Sequence, residues 1–357
     1  MSKMTRIISA SVMLTVLSAI ILAGCGNRHS DKSGLNKSDI TETLSQTLES
    51  EKDSQMNSQS EDNTDAEITD TEAEDSGQAD SEDGSQEETS NPYIIVREPY
   101  TGVPVYEDME HIYMNTTWEY ADHSAISDGY AVLYKAAGER KNIIVGVNAG
   151  HGTAGGSSVR TLCHPDGSPK STGGSTAAGA TTATAVSGGM TFYDGTPESE
   201  VTFRMAQILR DRLLSQGYDV LMVRDGADVQ LDNVARTVIC NNVADCHISL
   251  HWDGDGLSYD KGCFYIAVPD AIKDMEPVAT YWQQHNALGA SLVNGLGDVG
   301  MKIHGSGSMA IDLTQTSYST IPSVDMELGN ASSDHSDETL ENIADGLMAG
   351  INAYYGY

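Results

Sequence analysis

Residues 143–152 read Ile-Ile-Val-Gly-Val-Asn-Ala-Gly-His-Gly, and this stretch decides the fold class. Its first half is a short apolar run, typical of a strand that is buried on both faces of a sheet. Its second half is a glycine turn that presents His151. Because open α/β sheets place their sites at strand ends beside such turns, the stretch predicts an α/β fold with a site at His151.

Strands and helices alternate along the chain after this turn. Thr196-Pro197 precedes an amphipathic stretch that stops at Gly217, and proline is favoured at the first position of a helix. Further strands are predicted at 218–223, 247–252, 263–268 and 323–328, and further helices at 231–243, 277–296 and 337–354. This alternation predicts a mostly parallel twisted sheet with helices on both faces, formed by a domain that covers residues 141–357.

An insertion, residues 152–196, separates the turn from the first helix. Its centre, from Ser171 to Gly189, consists mainly of Gly, Ser, Thr and Ala. A loop of this length in a compact domain is usually a functional lid or is disordered. We expect the insertion to border the cleft as a lid or as a wall that selects substrate, with a plain surface loop as the alternative.

The net charge of −32 is distributed unevenly over the 357 residues. Residues 25–92 carry 19 acidic side chains against four basic ones and contain no Phe, Tyr or Trp. Such a segment buries too little apolar surface to offset its ordering entropy, so we predict a disordered acidic tether of roughly 45 Å span. The acidic balance excludes nucleic acid as a partner, because phosphate binding needs clustered Lys and Arg.

The first 24 residues resemble a lipoprotein signal peptide. Lys3 and Arg6 precede an uncharged, mostly apolar run that ends in Leu22-Ala23-Gly24-Cys25, which resembles a bacterial lipobox. We expect lipid on Cys25 to anchor the protein on the outer side of the membrane, facing the cell wall. A signal-anchor helix is the alternative.

Residues 93–140 hold seven Tyr and Trp118 without a long amphipathic pattern, so we predict an aromatic-rich, β-containing extension.

The remaining cysteines lack zinc-ribbon or CxxC spacing, and the sequence leaves open whether they form disulfides. They are Cys163, Cys240, Cys246 and Cys263.

Four sequence blocks carry side chains suited to metal chemistry or acid–base catalysis. The blocks are 144–152, ending in Gly150-His151-Gly152; Glu198 with Gly217 to Arg224; Arg236 to His251, ending in Ile248-Ser249-Leu250-His251; and 322–329, Pro-Ser-Val-Asp-Met-Glu-Leu-Gly. In this order and at this spacing the chain resembles the zinc-dependent N-acetylmuramoyl-L-alanine amidases of bacterial cell walls, from about Asn142 to the C-terminus. The resemblance implies a zinc-amidase, phosphorylase/hydrolase-like fold.

The resemblance also implies roles for individual residues. His151, Glu198 and His251 would bind Zn²⁺, and Glu327 would be the catalytic carboxylate. Two His and one Glu leave a tetrahedral zinc with an open position, the catalytic arrangement. The bond cleaved in this family joins N-acetylmuramic acid to L-alanine of the peptidoglycan stem peptide.

Three departures from the family pattern bear on the substrate pocket: Asn148-Ala149, Trp252-Asp253 and the stretch that begins at Asn330. Arg224, Asn330 and Asp325 are assigned to substrate contact or tuning. Asp325 is the most informative, because residues two apart on a strand face the same side. We expect like-charge repulsion to raise the pKa of one of the two carboxyl groups, so that Asp325 tunes Glu327.

The sequence contains two other pairs of possible metal ligands. His247 and His251 are four residues apart, as in HExxH helices, but in a strand they would lie roughly 13 Å apart and could not share an ion. Cys163-His164 is an adjacent pair without further ligands and is interpreted as incidental.

The function predicted is therefore a membrane-tethered zinc amidase that trims peptidoglycan. Two alternatives remain at this point: a degenerate amidase-like domain that binds wall without cutting it, and a zinc peptidase that cuts within the stem peptide. The sequence does not decide the preferred stem peptide, the need for an activator protein or the oligomeric state.

Overall fold

The structure, a computed structural model, describes residues 106–357; the signal-like segment, Cys25 and the acidic tether lie outside the described residues. The strands are β1 Tyr106–Tyr113, β2 Tyr130–Ala136, β3 Ile144–Ala149, β4 Arg160–Leu162, β5 Thr182–Thr184, β6 Asp219–Met222, β7 Cys246–Asp253, β8 Cys263–Ala267, β9 Ile303–Ala310 and β10 Ser323–Asn330. The helices are α1 Glu198–Ser215, α2 Asn233–Val243, α3 Val278–Asp298, α4 Thr314–Tyr318 and α5 Asp337–Tyr355.

Eight of these strands form one sheet in the order β1-β2-β6-β3-β7-β10-β8-β9. The central strands β6, β3, β7 and β10 are parallel to one another. Antiparallel pairing occurs between β1 and β2, between β2 and β6, and between β10 and β8. The prediction of an α/β fold with a mostly parallel sheet is confirmed.

Helices cover both faces of the sheet. On one face, alternate side chains such as Val147 and Ile248 pack with α1, α3 and α5 in the largest apolar cluster. On the other face, Leu221 packs with Ala235 and Ile239 of α2. The period-two alternation of the strands thus sends the remaining side chains of β7 and β10 toward the face of α2, where the cleft opens.

The helices that frame the site begin at defined capping residues. The side chain of Asp232 accepts a hydrogen bond from Ala235 N at the start of α2. Its second carboxylate oxygen accepts from the backbone amides of Ala125 and Ile126, which ties the aromatic-rich segment to the main domain. Helix α1 follows Pro197 and starts with Glu198, an acidic residue that the helix dipole favours there.

Four of the strands and helices given above were not predicted from the sequence: the paired strands β4 and β5 within the insertion, strand β9 and helix α4. Strand β9 has two glycines with positive φ, Gly305 and Gly307, in a largely polar stretch, so its pattern is that of a loop. Helix α4 has only five residues, too few to show a helical period. Cys163, Cys240, Cys246 and Cys263 are free, buried thiols. Within residues 106–357 no helix combines the length and apolar character needed to span a bilayer.

Candidate active site

The strand register brings the predicted carboxylates next to the second histidine. Strands β7 and β10 are parallel neighbours, and Glu327 lies opposite His251 while Asp325 lies opposite Ser249. Because Val324 and Met326 point into the core, Asp325 and Glu327 point to the opposite face. Asp325, Glu327 and His251 therefore meet near the carboxyl ends of the parallel strands.

The glycine turn after β3 allows the two histidine rings to approach each other. His151 has φ +65°, in the left-handed region that side chains seldom adopt. A Cβ at Gly150 would lie 2.3 Å from Cε1 of His251, so glycine is required by the close approach of that ring. The strained turn places the His151 ring 4.7 Å from the His251 ring, centroid to centroid and edge to face.

Two buried arginines hold this turn from opposite sides. Arg224 donates to the carbonyls of Ala149 and Gly150 at 3.1 and 3.0 Å. Arg236 donates to the carbonyl oxygens of Ala149 and His151. Burial lowers the pKa of Arg224 to about 10 and that of Arg236 to about 9. Because they bind the carbonyls of the turn, the two guanidinium groups stabilise its strained backbone.

His151, Glu198 and His251 form a group that could hold a metal ion. His151 Nε2 and His251 Nδ1 lie 2.8 and 3.1 Å from Glu198 Oε1, and the two nitrogens lie 3.1 Å apart. All three side chains are largely buried. Burial alone would raise the pKa of Glu198, but hydrogen bonds from the two histidines outweigh it and hold that pKa well below its usual range.

His151, Glu198 and His251 are called the triad below. Contacts with residues outside the triad determine which of its atoms face its centre. His151 Nδ1 donates to the carbonyl oxygen of Ser187 at 2.9 Å, and this contact directs Nε2 inward. His251 Nε2 lies 3.9 Å from an Asp325 carboxylate oxygen, which leaves Nδ1 directed inward. Glu198 accepts hydrogen bonds from the backbone amides of Met190 and Trp252. Three potential ligand atoms therefore converge on one point, where they could hold a cation.

Asp325 and Glu327 lie beside this triad and are largely buried. Burial, followed by the charge of Asp325, raises the pKa of Glu327 well above its ordinary value. Burial likewise raises the pKa of Asp325. Within the described part of the chain, no hydrogen-bond partner lies near Glu327 Oε2 or Asp325 Oδ1. The pair is thus suited to carry a proton and to exchange it with a group in the cleft.

A cavity of about 650 Å³ opens over these residues. Its floor is polar: Asn148 donates to Ser249 Oγ at 2.9 Å, and Ser249 donates to Gln315 Oε1. The insertion forms one wall, to which it contributes residues at 170, 174–176, 183, 184 and 187–190. The segment expected to border the cleft therefore lines it.

Arg224 and Asn330 lie away from the cavity. Arg224 supports the turn described above, and Asn330 is fully buried, donating to Asp255 Oδ1 and to the Tyr259 carbonyl at 3.1 and 3.0 Å. His247 and His164, which belong to the other possible metal pairings, also lie away from the cavity. His247 is buried without a hydrogen-bond partner among residues 106–357, and His164 lies 2.8 Å from Asp312.

Sequence reasoning missed the residues that support the ligands from within the insertion. Ser187 and Met190 act through their backbone atoms, so no side-chain pattern identifies them. Gln315 was missed because its short helix was not predicted. The glycine and serine content of the insertion, which allows close backbone approach, was the one signal available.

Comparison with known proteins adds a family match. A sequence model of a family described as N-acetylmuramoyl-L-alanine amidase matches residues 145–352. The solved structure of the N-acetylmuramyl-L-alanine amidase Ami1 from Mycobacterium smegmatis shares the fold, with 20% identity and a TM-score of 0.51 over 61% of this chain and 99% of that chain. No curated protein sequence matches the chain.

Two further solved structures are similar at lower scores. The apo form of Ami1 from Mycobacterium abscessus is 22% identical, with a TM-score of 0.48 over 60% of this chain and 99% of that chain. The CwlD amidase from Clostridioides difficile, in complex with the GerS lipoprotein, is 18% identical, with a TM-score of 0.42 over 60% of this chain and 99% of that chain.

Proposed function

Since the chain belongs to the N-acetylmuramoyl-L-alanine amidase family, we propose that it hydrolyses the amide between N-acetylmuramic acid and L-alanine of the peptidoglycan stem peptide, using Zn²⁺. The observation that carries the proposal is the convergence of His151 Nε2, His251 Nδ1 and Glu198 Oε1 within 3.1 Å of one another. Each of the three side chains can supply one ligand atom, and at these separations they could together hold one metal ion.

The donor set fits zinc. Ligand atoms around a tetrahedral zinc with bonds of about 2.0–2.1 Å lie roughly 3.3 Å apart, close to the separations found here. His151, Glu198 and His251, which all line the cavity, would hold the ion. When bound, zinc polarises the scissile carbonyl and lowers the pKa of the attacking water.

Glu327 supplies the proton transfers. Its carboxylate accepts a proton from the attacking water and donates it to the leaving amine nitrogen, which departs as the free α-amino group of L-alanine. A raised pKa suits this exchange, because it makes the Glu327 carboxylate a stronger base, which accepts the proton of the attacking water more readily than a carboxylate of ordinary pKa does. Asp325, two residues away on the same strand face, supports that raised pKa by its charge.

The cleft walls orient the substrate. The polar floor of Asn148, Ser249 and Gln315 offers hydrogen bonds to a peptide or a sugar, and the insertion restricts access from one side.

Lipid on Cys25, followed by the acidic tether, would let the domain reach a wall polymer from the membrane surface. Exchange of Cys25 for serine should then release the protein from the membrane fraction.

Digestion of purified peptidoglycan tests the proposed reaction. We expect the zinc-loaded full chain to release peptides that begin with L-alanine and to leave the glycan strands intact, as read by mass spectrometry. The matched control is Glu327→Gln at the same zinc content, which should release essentially no peptide.

Two other results would contradict the proposed reaction. Sedimentation of the protein with wall and no soluble product would make it a wall-binding protein. Products cut inside the stem peptide would make it a peptidase.

A further inference from the structure

A four-residue stretch of the insertion, Ser187–Met190, touches two of the three triad side chains through its backbone. The Ser187 carbonyl accepts a hydrogen bond from His151 Nδ1 at 2.9 Å. The Met190 amide donates to Glu198 Oε2 at 2.8 Å, and the Met190 carbonyl accepts from the Glu198 amide at 3.0 Å. The stretch therefore holds the His151 ring and both ends of the Glu198 residue in place.

Gly189 lies between these contacts and packs against both ligands. It has φ +83°, and a Cβ there would lie 2.8 Å from His151 Cδ2 and 2.9 Å from Glu198 Oε2. Gly179 has the same φ of +83° but no atom within 4 Å of a Cβ. The two glycines therefore share one backbone requirement and differ in whether a side chain would reach the ligands.

The rest of the insertion is fixed to the domain at points remote from the triad. The Ala185 carbonyl accepts from the Asn233 amide at the start of α2. Asp312 accepts from the Ser171 amide at 2.7 Å and lies 2.8 Å from His164 Nε2. These attachments give the stretch a defined position from which it orients the ligands.

We propose that Ser187–Met190 is a positioning segment for the metal site, so that the insertion sets the affinity for the cation as well as the shape of the cleft. The inference rests on the proposed zinc site. Partners in the outer shell of a metal site orient its ligands, and their loss typically costs 10–100-fold in affinity. By linkage, a segment that strengthens metal binding is itself stabilised when the metal binds.

The test compares the zinc affinity of Gly189→Ala with that of Gly179→Ala, each in the full chain and measured by competition with a chromophoric chelator. We expect Gly189→Ala to raise the zinc Kd by about 10–100-fold over Gly179→Ala. Equal affinities of the two variants would overturn the inference. Failure of the wild type to bind one zinc would instead overturn the proposed function.

A second measurement needs no variant and decides the matter if Gly189→Ala does not fold. Amide hydrogen exchange of residues 187–190 is measured in the wild type with and without zinc. We expect at least about 10-fold slower exchange with zinc, by the same linkage. Unchanged exchange in this stretch would also overturn the inference.

Discussion

Arg224 lies beneath the turn that carries His151, and its guanidinium donates five hydrogen bonds. The two hydrogens of Nη2 face three acceptors, Gly150 O, Ser199 O and Thr202 Oγ1, so one hydrogen is shared. The other two bonds leave from Nε and Nη1, to the carbonyls of Ala149 and Gly226. The side chain thus joins the turn to the start of α1.

Substitution of Arg224 by lysine has an effect that follows from this geometry. An ammonium has three donors on one atom and ends one bond short of Nη2, so lysine can keep at most three of the five contacts and loses at least two. At about 1–1.5 kcal/mol for each bond lost, Arg224→Lys should lower the free energy of unfolding by about 2–3 kcal/mol. Because the turn carries His151, zinc affinity should fall as well.

Equilibrium urea unfolding of the full chain, with and without zinc, measures this loss. The control is Arg204→Lys, since Arg204 lies on the surface of α1 and pairs with exposed Asp337; we expect a change below about 0.5 kcal/mol. If Arg224→Lys kept wild-type stability and raised only KM for peptidoglycan, Arg224 would be a substrate contact, and the structural role given to it would be wrong.

Three further predictions test the site, the core and the insertion. Asp325→Asn removes a charge that raises the pKa of Glu327, so the acid limb of kcat/KM should move to lower pH; an unchanged pH profile refutes the tuning role. Burial lowers the pKa of His247 to about 3 and that of His285 to about 4, whereas an unfolded histidine titrates near 6.5. The unfolded state therefore binds more protons as the pH falls below about 6.5, and each histidine costs up to about 1.4 kcal/mol of stability per pH unit. His247→Gln should make this slope shallower in urea unfolding between about pH 6 and 4.5, and an unaltered slope would contradict the assignment. Deletion of 173–178, which includes lining residues but not the ligand contacts, should change kcat/KM on peptidoglycan and leave zinc affinity as it is; unchanged kinetics would reduce this part to a surface loop.

The residues at strand ends were predictable from the sequence. His151, His251 and Glu327 each follow or end a short apolar run, and parallel strands bring their carboxyl ends to one edge of the sheet. The alternation of side chains along β10 also placed Asp325 on the same face as Glu327. Local periodicity was sufficient because these positions depend on strand geometry alone.

The supports around these residues were not predictable in the same way. Arg224 was expected near substrate, but its side chain turns under the glycine turn and binds backbone carbonyls. The contacts of Ser187 and Met190 depend on how a long insertion folds back over the ligands, and they involve main-chain atoms that every residue has. Such long-range closure leaves no local period in the sequence.

The order of the site residues along the chain has a consequence for the time at which the protein becomes active. His151 leaves the ribosome early, whereas Glu327 follows only after β7, β8 and β9 have been synthesised, and β10 must then insert between β7 and β8. A nascent or truncated chain that ends before residue 327 lacks both the carboxylate and the strand that carries it. If Glu327 has the proposed catalytic role, the site becomes competent only once β10 has been made and has entered the sheet.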